Sequence, residues 1–563
     1  MKLVIKEYLT LLNESKELDA LLPDLLLSMG LEPLIYPQIG HRQFGVDLVA
    51  VGNIEDEVET LYVFTIKQGD ISRSDWDSDE QSVRQSLNEI KDVYLNSLIR
   101  PEHKNYRKKV ILCTGGVLEC NVGVNWKNYI EQNTVPDKLI YEFWGGDKLS
   151  LLIEKHMMNE NIFPKEIKSY FRKTLVRLTD PDYDLEDYYK LLDNIILKTD
   201  YGDISNRIAK KRITKNFKTI NLSLNIIYQW ARHEDNLKPA LYCAERTILL
   251  CWEFIRSDEL FEKKWISDLL LDINSTFEKI YLAYYVKIRD HCIIPNALSG
   301  YHTHFVLESL NIFEQLGIIT NFGLIQLYHS KQFVKLHGCN PFTENLKSCC
   351  SSIKSLINNH KALLNPVFDG HINEISSTIF LLSELKEFEF IKQWISDLFE
   401  HIFYAYIYLG KYFPIYTDSF DDLVSFNISN GIEKEKLFEI SSIIPILAQW
   451  CVVLDFEELF NHIKNRTKNN FDKCTFQIFY PDNETDNHLY CKNAATESGI
   501  AEAPIILKSF EEMKKQIGKV KSKKIKKDEI SSIKYSFPIL PLIAFRHYRT
   551  PMFPMYWQDI IEN

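Results

Sequence analysis

The sequence predicts an α/β N-terminal domain followed by a large, mostly α-helical region. Three observations carry this. Short β-rich runs alternate with helical patterns over the first ~155 residues. Past Leu178 such runs become rare, and apolar residues recur at helical spacing instead. The chain has 563 residues, 45% hydrophobic and 25% charged, which is the make-up of a folded protein with several domains.

The elements follow in order. Leu18, Leu21, Leu22, Leu25 and Leu26 lie on one helical face, and the pattern stops at Gly30, a natural helix end. Five β-rich runs come next: Leu34–Tyr36, Val46–Val51, Leu61–Lys67, Lys109–Thr114 and Leu139–Trp144. Ser82–Leu98 is polar and helix-compatible and separates the third run from the fourth. Gly145-Gly146 then leads into a helix over Lys148–His156. Helix, strands, helix, strand, strand, helix is the layout of one central sheet flanked by helices.

Asp180-Pro181-Asp182 and the acids up to Asp187 mark a linker, placed at 161–190. Beyond it, Ile266, Leu269, Leu270, Ile273, Phe277 and Ile280 form one apolar stripe, and Ile391, Trp394, Ile395, Leu398, Phe399 and Ile402 another. These predict a helical domain over 191–465; a sensing or assembly role is given to it by analogy of domain order and not by the stripes. The string Trp-Ile-Ser-Asp-Leu occurs in both stripes, but its separation fits no short solenoid period. The remainder, 466–563, reads as a polar loop, a lysine-rich segment and a tail rich in Pro and aromatic residues. Lys508–Lys534 carries ten lysines against four acids.

Composition also excludes classes. A net charge of -11 rules out a strongly basic nucleic-acid coat protein, though not a local basic channel. Eleven scattered cysteines, with no Cys-x-x-Cys pair, make neither a disulfide scaffold nor a usual zinc site. The start shows no signal-peptide pattern. The longest apolar stretch, Ile443–Leu454, holds Pro445 and Gln449 and is shorter than the ~20 residues a bilayer span needs. The expectation is a cytoplasmic protein with no membrane partner. No nucleotide-binding phosphate loop and no Gly-x-Ser-x-Gly elbow occur. Gly115-Gly116 lacks the further glycines of a dinucleotide site, and His302 with His304 lacks a third ligand at helical spacing.

Chemistry concentrates in Gly40–Gln68. Gly45-Val46-Asp47 puts an acid at the mouth of one strand, and Leu61–Gln68 forms the next. Side chains alternate along a strand, so Thr65 and Lys67 share a face. An acid on one strand and a lysine on its hairpin partner can meet at one point. There a carboxylate can hold a divalent metal against a phosphate, and a lysine can orient or deprotonate the attacking water. Asp47 could equally cap a turn, Lys67 solvate an edge strand, and Asp19 occupy an exposed helix face.

These residues, taken in order, resemble the restriction-endonuclease-like, or PD-(D/E)XK, superfamily, and within it the Mrr-like nucleases. The resemblance covers residues 10 to 156, roughly a quarter of the chain. It rests on an acid-bearing helix (Leu18-Asp19 through Leu27, then Met29-Gly30), on Gly45-Val46-Asp47 opening a strand, on Thr65-Ile66-Lys67 ending the next, and on Tyr141–Leu149 as the closing strand and helix. It implies Mg²⁺ or Mn²⁺ bound by Asp47 and Thr65, with Lys67 as the water-orienting base and Asp19 as a helix-borne assistant. It implies DNA as the substrate, with Gln81 and Gln85 as candidate contacts, and a role in prokaryotic restriction or anti-phage defence. Gln68, Arg42 and Arg73 join the candidate nucleic-acid contacts, the arginines by countering phosphate charge. One position departs from the family: Thr65 stands where an acid or amide is usual, and a hydroxyl binds Mg²⁺ far more weakly than a carboxylate. Asp19, or one of Asp70, Asp75 and Asp77, would supply the missing oxygen; otherwise the fold is a degenerate platform for nucleic acid or protein. An RNA nuclease is the other alternative. An operon-encoded protein partner and a homo-oligomer stay open.

Overall fold

In the computed structural model the described residues are 1–551 except 38–43, 55–57, 79–81, 159, 164, 179–183, 200, 203, 205, 258–259, 300–303, 339–340, 418, 429–437, 472–473, 480, 482–483, 497–499, 503–507 and 524–529. The chain divides into two units, Met1–Cys243 with Asp268–Thr276, and Ala244–Ser267 with Phe277–Asn563.

In the first unit the β-rich runs form one five-stranded mixed sheet. The strands are β1 (Glu32–Ile35), β2 (Leu48–Gly52), β3 (Thr60–Lys67), β4 (Arg107–Thr114) and β5 (Leu139–Trp144), in that spatial order. β1, β2 and β3 are antiparallel neighbours; β3, β4 and β5 are parallel. The parallel connections are crossovers that contain helices, which pack on one sheet face, and the other face is covered too. β3 shows this in its sequence: every residue from Thr60 to Ile66 is buried, and only Lys67 is half-exposed.

Helices α1 (Lys2–Leu9) and α2 (Asp19–Ser28) open the unit; between them Glu14–Leu18 forms one turn of π-helix. α2 ends as expected at Gly30, whose φ of +84° suits a glycine. The helical stretch after β3 divides into α3 (Arg73–Trp76), α4 (Val83–Glu89) and a π-helix over Ile90–Leu98. α5 (Cys120–Asn133), which the sequence reading did not anticipate, links β4 to β5. Val49, Leu61, Val63, Val110 and Leu112 on one sheet face pack with Trp76, Leu87, Ile90, Val122 and Trp126 into a core. α6 (Gly146–His156) follows β5.

Two glycine pairs turn out to be packing devices. A Cβ on Gly115 would lie 2.2 Å from the Leu9 carbonyl oxygen, and one on Gly146 2.5 Å from that of Gly115. The chain crosses itself there at a spacing only glycine allows. The unit continues through α7 (Lys165–Arg177), α8 (Glu186–Ile196) and α9 (Arg207–His233). The stretch read as a linker thus holds α7 and the start of α8.

The second unit is largely helical. Its central helix, Ile372–Glu384, is buried at every position from Ile372 to Ser383. Trp252, Trp394 and Trp450 are fully buried, and both predicted stripes lie on helices, Phe388–Tyr404 in this unit and Lys264–Ile288, whose Asp268–Thr276 stretch is counted with the first. Within the polar stretch expected as loop, Thr475–Phe479 forms a strand. It lies between Ile440–Ser441 and Ile500–Glu502 in a three-stranded sheet. Among the described residues no helix is long and apolar enough to cross a membrane.

Candidate functional site

The Gly-x-Asp segment is set by its glycine. Gly45 has φ +75°, and a Cβ there would stand 2.3 Å from the Ser86 carbonyl oxygen. The turn before β2 therefore presses against the backbone of α4. Two residues on, the Asp47 N–H donates to the Phe64 carbonyl at 2.9 Å, and the Ile66 N–H donates to Asp47 Oδ2 at 2.6 Å. The carboxylate is thereby fixed to β3 at the residue between Thr65 and Lys67. The hairpin geometry expected from the sequence is present, with Leu48 opposite Phe64 in the antiparallel register.

Burial pushes the Asp47 carboxyl above its ordinary range; the Ile66 N–H, the Lys67 ammonium and the Thr65 hydroxyl oppose that shift, and the Asp19 charge adds to it. A second acid shares this environment. Burial raises Glu14, Lys67 lowers it, and Asp47 and Asp19 raise it further. Glu14, Asp19, Asp47 and Lys67 thus form one electrostatic cluster.

The π-turn explains how Glu14 joins it. The Asp19 N–H donates to the Glu14 carbonyl, five residues back, so the widened turn stacks these two acids. Two buried oxygens in the cluster have no hydrogen-bond partner, Asp19 Oδ1 and Thr65 Oγ1. The Thr65 hydroxyl favours the Asp47 anion electrostatically without making a well-formed hydrogen bond to it. A buried oxygen left unpaired costs about 1–3 kcal/mol.

The turn is tied to β3 by side chains. Glu17 Oε2 accepts from the Asn13 N–H at 2.7 Å and from Asn13 Nδ2 at 2.9 Å. Asn13 Oδ1 accepts from Gln68 Nε2 at 3.2 Å. Gln68, expected to touch nucleic acid, is in this structure bonded to the turn.

The three downstream acids are engaged elsewhere. Asp70 Oδ1 accepts from the Val117 N–H at 2.9 Å, Asp75 caps α3 through Ser72, and Asp77 pairs with Arg84 at 2.7 Å. None replaces the acid missing at Thr65. Arg73 and Gln85 are exposed. Arg42 and Gln81 lie outside the described residues. Asp147, in the closing Gly-Gly-Asp-Lys, pairs with Lys6 at 2.7 Å.

Sequence reasoning missed Glu14. Its signal was weak, because a π-turn breaks the 3.6-residue spacing by which helix faces are read. Among the described residues no group of three His, Cys, Asp or Glu side chains converges as a metal site. A cavity of about 780 Å³ lies behind the turn, lined by Tyr8, Leu12, Glu17, Leu21 and Phe163 among others; Asp47, Thr65 and Lys67 are not in its wall. No protein-family model, curated protein or solved structure matches this chain.

Proposed function

We propose that the first unit is a metal-dependent endonuclease that hydrolyses DNA phosphodiester bonds. The observation that carries this reading is the Asp47 carboxylate, pinned to the strand of Thr65 and Lys67 and sharing one field with Lys67, Glu14 and Asp19. Mg²⁺ is commonly held by one or two protein carboxylates and keeps several waters. The unpartnered oxygens of Asp19 and Thr65, in the electrostatic cluster of the Asp47 carboxylate, fit an ion of that kind. Asp47 would hold Mg²⁺ or Mn²⁺, with Thr65 Oγ1 and Asp19 Oδ1 contributing directly or through water. Bound there, the ion would neutralise phosphate charge and acidify a water. Lys67 Nζ would orient that water and take part in its deprotonation. Glu14 would hold the cluster's charge balance.

In this reading the protein is the effector of a prokaryotic restriction or anti-phage defence system, acting in the cytoplasm. The helical unit would sense a trigger or bind a protein partner. That part rests on analogy of domain order alone.

A second reading is favoured by Thr65 and by the lack of a three-ligand cluster among the described residues. The nuclease-like fold would then be a platform that holds nucleic acid or protein without cutting. Plasmid cleavage with Mg²⁺ or Mn²⁺ separates the two. Nuclease action predicts cleavage that falls at least a hundredfold in both Asp47→Asn and Lys67→Ala. DNA binding without cleavage under any metal supports the platform. A parallel assay on tRNA tests RNA as the substrate.

A further inference from the structure

The charge of this acidic chain is unevenly distributed, and α9 is one place where it reverses. Its first twelve residues, 207–218, carry six Lys or Arg, and the whole helix to His233 has no Asp or Glu. The helix has two distinct faces. Ala209, Ile213 and Phe217 are spaced four apart and buried. Arg207, Lys211, Lys215 and Lys218 form a cationic row on another face, as residues at i, i+4, i+8 and i+11 of a helix do.

The row has an anchored end and an open end. Lys215 pairs with Glu17 of the π-turn, and Lys218 bridges Glu7 and Asp272, the latter at 2.6 Å. Arg207 and Lys211 are exposed, and neither makes an ion pair among the described residues. At 1.5 Å per residue the open end begins about 12 Å from Lys215 along the axis. Lys215 touches the same turn that carries Glu14 and Asp19. The row therefore runs from solvent to the edge of the candidate site, within one unit of the chain.

We propose that the first half of α9 is a backbone-binding track that leads duplex DNA to the Asp47–Lys67 site, with Arg207 and Lys211 each countering a phosphate. This rests on the nucleic-acid reading of the first unit and extends it to a helix beyond the nuclease-like sheet. Charge complementarity selects the partner: a polyanion is the ligand that such a row, exposed at one end on a helix without Asp or Glu, would hold.

The test is fluorescence anisotropy of a labelled DNA duplex against the full-length protein carrying Asp47→Asn, without metal, across a salt series. Each phosphate contact contributes about 0.9 to the slope of log K against log salt. Arg207→Gln with Lys211→Gln is expected to lower that slope by about 1.8 and to weaken binding by some tens-fold near 0.1 M salt. Lys127→Gln with Lys155→Gln, on α5 and α6, is the control and is expected to change the slope by less than half as much. An unchanged slope in the α9 variant, an equal fall in the control, or no DNA binding by the parent would each overturn the track. The cleavage reading fails separately. DNA held through α9 but left uncut by the protein with Asp47 intact keeps the track and removes the nuclease.

Discussion

Glu245 offers a quantitative test of the helical unit. It lies at 0% exposure and receives bonds from Arg546, from the Tyr281 hydroxyl and, at 3.1 Å, from His547 Nδ1. Burial alone would raise its carboxyl; the Arg546 charge and the His547 and Tyr281 hydrogen bonds override that and bring it from 4.5 to about 2. At 1.36 kcal/mol per pH unit, this is a stabilisation on the order of 3 kcal/mol. The folded value lies below the unfolded one, so the contribution is complete above about pH 4.5 and is lost as pH falls towards 2. Glu245→Gln removes it together with the carboxylate that the buried Arg546 guanidinium pairs with, a change that typically costs about 3–5 kcal/mol. Adding Arg546→Met should recover part of the loss, because it removes the buried charge that the carboxylate answered. Urea unfolding at pH 7, with the transition of the helical unit resolved from that of the first, measures the loss; repetition at pH 3 should show a smaller gap between variant and parent. A loss under 1 kcal/mol at pH 7, or a gap that does not narrow in acid, would refute the reasoning.

Gly45→Ala should lower the thermal midpoint of the first unit and weaken cleavage, because it combines a positive φ with an approach to the Ser86 backbone that no rotamer change relieves; the expected loss is above about 1 kcal/mol. Glu14→Gln should reduce cleavage at least tenfold while leaving the thermal midpoint nearly unchanged, and equal losses in both would make Glu14 a structural residue only. Thr65→Glu should raise Mg²⁺-dependent cleavage if the site is short of one oxygen, and the metal-titration midpoint reads this directly. Asp369 is buried, accepts from the Ser442 and Ile443 N–H groups, and is held up to about 6 from 3.8 by burial. Its folded form favours the proton, so stability should fall by roughly 3 kcal/mol as pH rises from 3.8 through 6. In Asp369→Asn that slope should disappear from the pH dependence of unfolding.

The sheet was legible because its strands are apolar, short and bounded by turn residues. The observed Leu139–Trp144 strand coincides with the expected run, and the others differ by one to three residues at their ends. α5 was hidden because Val122, Trp126 and Tyr129 are its only buried residues, a narrow stripe on a polar helix. The site was half legible. Asp47, Thr65 and Lys67 stand on two sequence-adjacent strands, so alternation and a hairpin suffice to relate them. Glu14 depends on a π-turn, which no periodicity announces. The fates of Asp70, Asp75 and Asp77 were settled by local capping and pairing with Val117, Ser72 and Arg84. Two partners of Glu245, Arg546 and His547, lie some three hundred residues away in sequence, beyond the reach of local pattern.

The bond from the Ile66 amide to Asp47 gives one side chain two employers. As an acceptor it rivets the start of β2 to β3; as an anion it would serve the reaction. With or without cutting, the hairpin keeps its need for an acceptor there. Retention of aspartate at this position across future relatives would therefore say little about activity, and a swap to asparagine would be mild for the fold. Under the nuclease reading Lys67 is the more telling residue, because that reading gives its ammonium a part in the reaction and its loss in a relative would argue against cutting there.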